Sequence, residues 1–288
     1  MRIGVLILPE HRWETAAEKW LRAETLGFDH AWTYDHISWD GLPNSPWFGS
    51  VPLLAAVGVT TSRIRLGTLV ASPNFRHPVP FAQELVTLDH LSGGRYTLGI
   101  GSGSQGSDAT VLGNRWSLAE PTARLEEFVD LLDRLLRPGK VTHAGRYWSV
   151  SEARTEPGCV QQPRLPFAIA ATGPRSMGLV ARHGSTWVTN GDRSHTGPPL
   201  DPEQGARVVA RQTELLEEAC EKEGRDPAAI DRLVLTGSRL DSGLASPEGF
   251  IAVKEAYASV GVTDLVVHWP RPNEPYAGDD GIFEHIMA

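Results

Sequence analysis

The chain of 288 residues carries a formal net charge of −8 and is rich enough in aliphatic and aromatic residues to bury a large core. This acidic balance argues against a nucleic-acid-binding protein, because a phosphate-binding surface is usually basic. The two cysteines, Cys159 and Cys220, lie far apart and match no metal-ligand spacing, so we expect free thiols in a reducing cytoplasm and no metal site.

The sequence contains no pattern typical of targeting or membrane insertion. The amino terminus enters a predicted strand directly, without a charged and apolar leader. Every apolar run falls short of the roughly 20 residues that cross a bilayer. We therefore expect a cytoplasmic α/β protein that binds no membrane.

Apolar runs alternate with amphipathic segments along the chain. The predicted strands are Ile3–Leu8, His30–Tyr34, Ile64–Val70, Tyr96–Gly101, Pro166–Ala171, Thr186–Thr189, Leu233–Thr236 and Asp264–His268. Helices are predicted between them, and Val141–Val150 is predicted to form a small hairpin outside this repeat. The alternation predicts a TIM (β/α)8 barrel with insertion segments at its carboxyl-terminal rim, and we expect one domain over residues 1–288.

The stretch Ile64–Gly103 is the clearest βαβ unit. Pro78 begins its helix, and Ser92-Gly93-Gly94 ends that helix before the next apolar strand. Asp201-Pro202 and Ser246-Pro247 each combine an N-cap residue with a first-turn proline, which predicts the start of a later helix.

Residues that directly follow the strands of such a barrel share one rim, where these folds carry out their chemistry. His36 follows the second strand through Asp35, so its side chain is predicted to enter a rim pocket and exchange a proton near neutral pH. The alternative is a histidine that only ties down its loop. Glu10 follows the first strand and could orient His36 or accept a proton itself, the alternative being an ordinary exposed carboxylate.

Two further segments point to a cofactor. Gly99–Gly106 contains GxGxG, but Ser107–Asn114 predicts no obvious helix, which weakens a nucleotide fingerprint. The glycines either leave room for a flat ring or only permit close strand packing. A helix predicted after the fifth strand begins with Thr172, Gly173, Pro174, Arg175 and Ser176. Its N–H groups, hydroxyl and guanidinium would suit a phosphate, the alternative being an ordinary capped turn.

Several other residues fall at the predicted rim. Arg76-His77 could contact substrate or cofactor, but charged first-turn residues are commonly solvated, and we favour that interpretation. Of the nine tryptophans, Trp39, Trp47 and Trp269 follow strands. They could form the wall of a pocket for an aromatic substrate or cofactor, whereas most tryptophans belong to the core.

The chain resembles the bacterial luciferase-like monooxygenase superfamily in LGTLVASPNFRHPVPFAQELVTLDHLSGGRYTLGIGSG, in TYDHI at the second strand and in AIAATGPRSMGLVARHG after the fifth. DLVVHWP at the eighth strand extends the resemblance over nearly the whole chain. It implies a TIM barrel that binds reduced flavin or the deazaflavin coenzyme F420 at the carboxyl-terminal rim.

Within that superfamily, the short length and the Asp35-His36 pair are most similar to F420-dependent dehydrogenases and reductases. The resemblance implies that Glu10, His36 and Trp39 lie near the reacting carbon of the deazaflavin. It also implies a non-proline cis peptide bond at Leu69-Val70 against the ring. The remaining residues implied at the cofactor are Ser102 and Gly103 at the ring and Thr172, Gly173 and Pro174 at the phosphate. Asp35 and, from their own chemistry, Arg175 and Ser176 are further predicted cofactor-binding residues.

One position departs from the F420-dependent sugar-phosphate dehydrogenases that the chain resembles. Those enzymes have a catalytic glutamate in the glycine-rich loop where this chain has Ser104, and no lysine cluster on the predicted rim replaces their substrate-phosphate site. We therefore expect a less charged substrate, aromatic or polyketide-like in character.

The resemblance implies an oxidoreductase that transfers hydride between F420 and a small organic substrate, with His36 moving the substrate proton and Glu10 supporting it. One alternative is an FMN-dependent two-component monooxygenase, for which a reductase partner would supply reduced flavin. Another is a flavin- or deazaflavin-binding protein without catalysis. Relatives are often dimers, so a homodimer is expected, and the substrate and direction of reaction stay open.

Overall fold

The computed structural model describes residues 1–103, 106–117 and 119–288. The strands are β1 Arg2–Leu6, β2 His30–Thr33, β3 Arg65–Thr68, β4 Tyr96–Ile100, β5 Val141–Ala144, β6 Ser149–Ala153, β7 Phe167–Ala170, β8 Thr186–Thr189, β9 Asp231–Leu235 and β10 Asp264–His268. The α-helices are α1 Trp13–Leu26, α2 Ser50–Thr60, α3 Pro78–Leu91, α4 Ser107–Val111, α5 Glu120–Leu135, α6 Pro174–His183, α7 Pro202–Glu223, α8 Pro247–Ala258 and α9 Ile282–Ile286. Ser104, where the chain departs from the sugar-phosphate enzymes, lies outside the described residues.

Eight strands close a barrel in the order β1-β10-β9-β8-β7-β4-β3-β2, and strands β5 and β6 form a separate antiparallel hairpin. The neighbours β1 and β10 pair in parallel, as do β3 and β4. Long segments follow β2, β4, β8 and β10. The predicted TIM barrel with insertions after its strands is therefore confirmed.

Predicted and observed strands differ mainly at their carboxyl ends. β10 matches its predicted range of Asp264–His268, whereas β1 ends at Leu6 rather than Leu8, and β3 ends at Thr68. Leu8 and Leu69 remain buried after strand pairing has ended. The apolar pattern reports burial, so it cannot show where the hydrogen-bonded ladder stops.

Helix starts agree with the capping signals in the sequence. Asp201 accepts the Gln204 N–H at 2.8 Å at the start of α7, and Ser246 accepts the Gly249 N–H at 3.1 Å at the start of α8. Gly224 ends α7 with a φ of 65°, a conformation that glycine adopts at little cost.

Helix α4 corrects the prediction that Ser107–Asn114 contains no obvious helix. It spans five residues, Ser107–Val111. A single turn and a half is too short to display the apolar periodicity by which helices are recognised.

Residue contacts divide the chain into two compact units, so the expectation of one domain over residues 1–288 stays a prediction. The first unit comprises Met1–Leu8, Lys19–Trp32 and Ile169–Ala288, and the second comprises Pro9–Glu18 and Thr33–Ala168. Fully buried side chains of the first unit include Trp20, Trp187 and Phe250. Those of the second include Phe81, Tyr96 and Phe128.

Both cysteines are buried free thiols. Across the described parts of the chain, every helix is too short or too polar to cross a membrane. In the same residues, no three histidine, cysteine or acidic side chains are arranged to hold a metal ion.

Candidate functional site

Three neighbouring strands carry the loops that form the candidate site in the second unit. β3 pairs with β4 through Leu66 and Tyr96, and the Leu69 N–H donates to the Thr33 carbonyl of β2 at 2.9 Å. Parallel strands direct their carboxyl ends the same way, so the segments after β2, β3 and β4 adjoin one another. Side chains on these three segments can therefore meet.

His36, on the loop after β2, contacts Asp108 in the first turn of α4. His36 Nδ1 lies 2.7 Å from Asp108 Oδ2, while Asp108 Oδ1 accepts the N–H groups of Ile37 at 2.7 Å and Ser38 at 3.1 Å. Asp108 is 5% exposed, whereas 26% of the His36 side chain is exposed. Burial raises the pKa of Asp108, but hydrogen bonds from His36 and the two backbone N–H groups outweigh it and hold this pKa below the usual range.

We expect from the sequence that Glu10 could orient His36. The partner of His36 Nδ1 is instead the Asp108 carboxylate. Glu10 Oε1 lies 3.8 Å from His11 Nε2, and its side chain is 10% exposed. A catalytic role for Glu10 stays a prediction. Asp108 is not among the site residues predicted from the sequence, although an acidic residue soon after Gly106 is typical of the first turn of a helix.

Asp35 forms a buried ion pair with Arg76. Arg76 Nη1 and Nη2 lie 2.6 and 2.7 Å from the two carboxylate oxygens, and the Ser50 hydroxyl donates to the same carboxylate. The guanidinium also lies over the rings of Phe75 and Phe81, and its side chain is only 11% exposed. The interpretation of Arg76 as a solvated residue is therefore wrong, since a carboxylate and two rings hold it inside. A contact of Asp35 with a cofactor stays a prediction.

Aromatic rings surround His36. Trp47 lies 6.3 Å from the His36 ring, between centroids, and its Nε1 donates to the His36 carbonyl at 2.9 Å. Trp39 packs 5.7 Å from Trp47, and Tyr34 packs 5.3 Å from Trp39. Trp47 therefore lines a pocket beside His36 and Trp39 packs against Trp47, while a contact of either ring with substrate or cofactor stays a prediction. Together the three rings form an aromatic cluster beside His36.

A pocket of about 360 Å³ opens beside His36. Its lining includes Asp35, Trp47, Phe48, Phe75 and Arg76. Pockets of this size hold small organic ligands, and their walls are usually apolar with a few polar groups.

The segments after β3 and β4 meet at Asn74 and Gly103. Gly103 has a φ of +70°, and a Cβ there would lie 2.3 Å from Asn74 Nδ2, so the position requires glycine. Asn74 is 6% exposed, and its Nδ2 donates to the Ser102 carbonyl at 3.1 Å. Asn74 Oδ1 is buried and accepts no hydrogen bond from the described residues. The Leu69-Val70 peptide bond is cis, as the resemblance implies.

The predicted phosphate-binding segment begins helix α6 in the first unit. Gly173 is the N-cap and has no side chain to cap the first turn, while the Ser176 hydroxyl donates to the Gly173 carbonyl at 3.0 Å. A Cβ on Gly173 would meet no atom within 4 Å. Thr172, Pro174 and Arg175 complete the segment. A helix start with open space and no side-chain cap can accept an anion.

His268, the last residue of β10, and Trp269, which follows it, belong to the interior of the first unit. Trp269 is 4% exposed, packs edge-on against Phe283 at 5.1 Å and donates Nε1 to Asp280 at 3.1 Å. Of the two alternatives left open for Trp269, the core position is therefore the one observed. His268 stacks on Tyr276 at 3.5 Å, and burial lowers the pKa of His268 to about 3. That imidazole stays neutral at physiological pH.

Comparison with known proteins agrees with the fold. The sequence profile of the family described as luciferase-like monooxygenase matches residues 1–237. A solved structure of the coenzyme F420-dependent tetrahydromethanopterin reductase of Methanopyrus kandleri superposes with a TM-score of 0.79, covering 99% of this chain and 97% of that one. The two sequences are 20% identical, so this likeness concerns the fold alone.

Two curated relatives have higher identity. An F420-dependent glucose-6-phosphate dehydrogenase of Microbacterium testaceum is 33% identical over 221 residues, which cover 74% of this chain and 60% of the relative. A 4-hydroxyprotoasukamycin monooxygenase of Streptomyces nodosus subsp. asukaensis is 33% identical over 187 residues, covering 64% of this chain and 48% of the relative. The chain thus spans between 48% and 60% of the length of these relatives.

Proposed function

The chain belongs to the luciferase-like monooxygenase family and is a luciferase-like oxidoreductase, and from this premise we propose that it transfers hydride between coenzyme F420 and an organic substrate. The observation that carries the proposal is the His36–Asp108 contact at 2.7 Å beside a pocket of about 360 Å³. Hydride transfer to or from a substrate carbon is coupled to movement of a proton, and this site provides a group for that proton. A relative that is 33% identical uses F420.

Two groups in this chain, one in each unit, have the chemistry that parts of such a cofactor would require. The buried Asn74 Oδ1 accepts no hydrogen bond from the described residues and would be satisfied by a ring N–H of a flavin or deazaflavin. The start of α6 at Gly173–Ser176 would hold a phosphate. Bound F420 supplies obligate two-electron chemistry because its ring lacks the nitrogen through which flavins activate oxygen.

His36 is the histidine best placed for proton exchange. Its ring is partly exposed beside the pocket, and neutral histidine can take up a proton near pH 7. His268 cannot perform this task, because its buried imidazole has a pKa of about 3. In this proposal His36 exchanges the substrate proton, the Trp39 and Trp47 rings keep water from one side, and Asp35 holds the loop through Arg76.

The pocket favours an aromatic or polyketide-like substrate without a phosphate group. Its cation, Arg76, is already neutralised by Asp35, so a substrate phosphate would have to break a buried ion pair. Trp47, Phe48 and Phe75 add apolar surface to the lining. A crystal structure with a phosphorylated substrate against Arg76 would contradict this assignment.

A second candidate is an FMN-dependent two-component monooxygenase that receives reduced flavin from a reductase partner. It is favoured by the family description and by the monooxygenase relative at 33% identity. The ring and phosphate contacts proposed above would serve FMN as well. A binding protein without catalysis is the third candidate, and the His36–Asp108 pair argues against it. The expected homodimer stays a prediction.

Parallel fluorescence titrations with F420 and FMN test the proposal. We expect F420 to bind at least about tenfold more tightly, a difference of about 1.4 kcal/mol. Riboflavin, which lacks the phosphate of FMN, is the control for the α6 segment and should bind more weakly than FMN. Absorbance changes of F420 with candidate alcohols or unsaturated compounds then report turnover.

The other outcomes of these titrations would each indicate a different function. Tighter binding of FMN together with oxygen-dependent product formation would establish the monooxygenase. A cofactor that binds but never turns over would indicate the binding protein. Failure to bind either cofactor would contradict the proposal and its site.

A further inference from the structure

The two oxygens of Asp108 have different and fixed partners. Oδ1 accepts two backbone N–H groups, from Ile37 at 2.7 Å and Ser38 at 3.1 Å. Oδ2 faces the imidazole, at 2.7 Å from His36 Nδ1, and no other described residue forms a hydrogen bond with it. The backbone pair fixes the rotation of the carboxylate, and the carboxylate in turn fixes the ring.

The contact between Asp108 and His36 determines which nitrogen of the neutral His36 ring carries the proton. An ionised carboxylate only accepts hydrogen bonds, so the contact at Oδ2 requires a proton on Nδ1. The lone pair of the neutral ring is then on Nε2. The His36 side chain is 26% exposed and lines the pocket described above.

We propose that Asp108 is a positioning residue that keeps neutral His36 in the Nδ1–H tautomer, so that Nε2 is the nitrogen that exchanges the substrate proton. The part concerning substrate rests on the proposed function, whereas the tautomer does not. In the oxidative direction a substrate O–H bond breaks as an N–H bond forms on Nε2, the released electron pair forms the C=O bond, and the hydride of the adjacent C–H bond would pass to oxidised F420. The resulting imidazolium is balanced by the Asp108 carboxylate, and in the reductive direction the same proton returns.

Replacement of Asp108 by asparagine reverses the direction of the hydrogen bond at His36 Nδ1 with little change in side-chain shape. The Ile37 and Ser38 N–H groups require an acceptor, so the amide oxygen of Asp108→Asn must keep the Oδ1 position. Its NH2 group then faces His36 Nδ1 and can only donate. The ring must take the Nε2–H tautomer, and the lone pair on Nε2 is lost.

The primary test is ¹⁵N NMR of the histidine rings in the cofactor-free protein. The His36 signals are assigned by their loss in His36→Gln. At a pH where the ring is neutral, wild type should show a protonated, pyrrole-type Nδ1 and a pyridine-type Nε2, and Asp108→Asn should show the opposite. Asp201→Asn makes the same chemical change at the α7 N-cap and should leave the His36 signals unchanged.

The second readout is turnover. Asp108→Asn should lower kcat by roughly 10²–10⁴-fold, because an aspartate-to-asparagine change behind a catalytic histidine of a serine protease costs about 10⁴-fold through the wrong tautomer. Cofactor affinity should stay within about threefold, since Asp108 acts through His36. A purely structural role would instead lower kcat and binding together.

The outcomes separate the two proposals. A wild-type ring protonated on Nε2 when neutral would overturn the positioning role even if Asp108→Asn fails to fold. Normal turnover by a folded Asp108→Asn would also overturn it and leave the F420 assignment standing. A reversed tautomer in a protein that binds neither F420 nor FMN would support the tautomer assignment and contradict the proposed function.

Discussion

His36 is preceded in the chain by one aspartate and contacted by another. Asp35 contacts Arg76 and Ser50, whereas Asp108, 72 residues after His36, contacts the imidazole ring. Asp35 and His36 are adjacent in the chain, yet their side chains have different hydrogen-bond partners. Asp35 consequently anchors the loop, and Asp108 orients the imidazole.

Replacing His36 by alanine tests its part in proton exchange. We expect kcat to fall by roughly 10²–10⁴-fold, the usual contribution of a positioned acid or base, while the Kd for F420 changes little. Steady-state kinetics and fluorescence titration measure the two quantities. His285→Ala removes an exposed histidine of α9 and should behave like wild type. An unchanged rate in His36→Ala would exclude the residue from the mechanism.

Arg76→Met should destabilise the protein, because it leaves the Asp35 carboxylate buried without its cation. We expect the free energy of unfolding to fall by roughly 3–5 kcal/mol, as measured by urea denaturation. The double variant Arg76→Met with Asp35→Asn should regain part of that loss, since the uncompensated charge is then gone. Equal stability of the single variant and wild type would show that the pair contributes little.

At the scale of elements, helix starts determine where ligand groups can bind. α4 places an acidic residue, Asp108, in its first turn, where it meets His36. α6 instead begins at Gly173 with no acidic residue in its first turn and no side-chain cap. The positive end of its dipole is therefore available for an anion.

Ser176→Asp tests whether the start of α6 binds the cofactor phosphate. A carboxylate in the first turn should repel phosphate and weaken F420 binding by about tenfold or more. The same charge should leave the melting temperature unchanged or raise it, because negative charge stabilises a helix start. Fluorescence titration and thermal unfolding give the two measurements, and Ser176→Ala is the neutral control. Unaltered F420 affinity in Ser176→Asp would place the phosphate elsewhere.

At the scale of the whole barrel, one carboxylate connects three strands. Asp264 of β10 accepts Arg2 Nε of β1 at 2.7 Å and lies 3.0 Å from His30 Nε2 of β2. Trp32 Nε1 donates to His30 Nδ1 at 2.7 Å, so the His30 proton is on Nε2 and faces Asp264. Burial raises the pKa of Asp264, but hydrogen bonds from His30 and Arg2 outweigh it and hold this pKa far below the ordinary value.

Because of this network, we expect the free energy of unfolding to decrease as the pH falls. The pKa of Asp264 is lower in the folded protein than in the unfolded chain, where it is about 3.9. The Asp264 carboxylate therefore adds its full share to the free energy of unfolding at pH values above the unfolded pKa. That share is lost as the pH falls toward the folded pKa. We expect Asp264→Asn to lower the free energy of unfolding at neutral pH by roughly 2 kcal/mol, a moderate figure because Arg2 is half exposed.

Urea unfolding of wild type and Asp264→Asn between about pH 3 and pH 7 measures this effect. The difference between the two proteins should shrink toward the acid end, and Asp201→Asn should follow wild type throughout. A constant difference across the range would show that Asp264 does not carry the pH dependence.

Most of the barrel could be predicted because strands and helices are encoded by local patterns. Asp264–His268 was recognisable as a buried apolar run, and Asp201-Pro202 as a helix start, without reference to any distant residue. The family resemblance also predicted the cis peptide bond between Leu69 and Val70, which the structure contains. The loop after β2 was likewise recognisable as a carrier of chemistry because His36 directly follows a strand.

The sequence by itself determined the order of strands and helices, the family resemblance and the nomination of His36. Only the tertiary structure decided that Asp108 orients this histidine, that Arg76 is buried against Asp35, and that Trp269 belongs to the core. The physical reason is the distance along the chain over which each kind of interaction acts. Backbone periodicity and helix capping act over a few residues, whereas a hydrogen bond or an ion pair between loops depends on where folding brings their side chains.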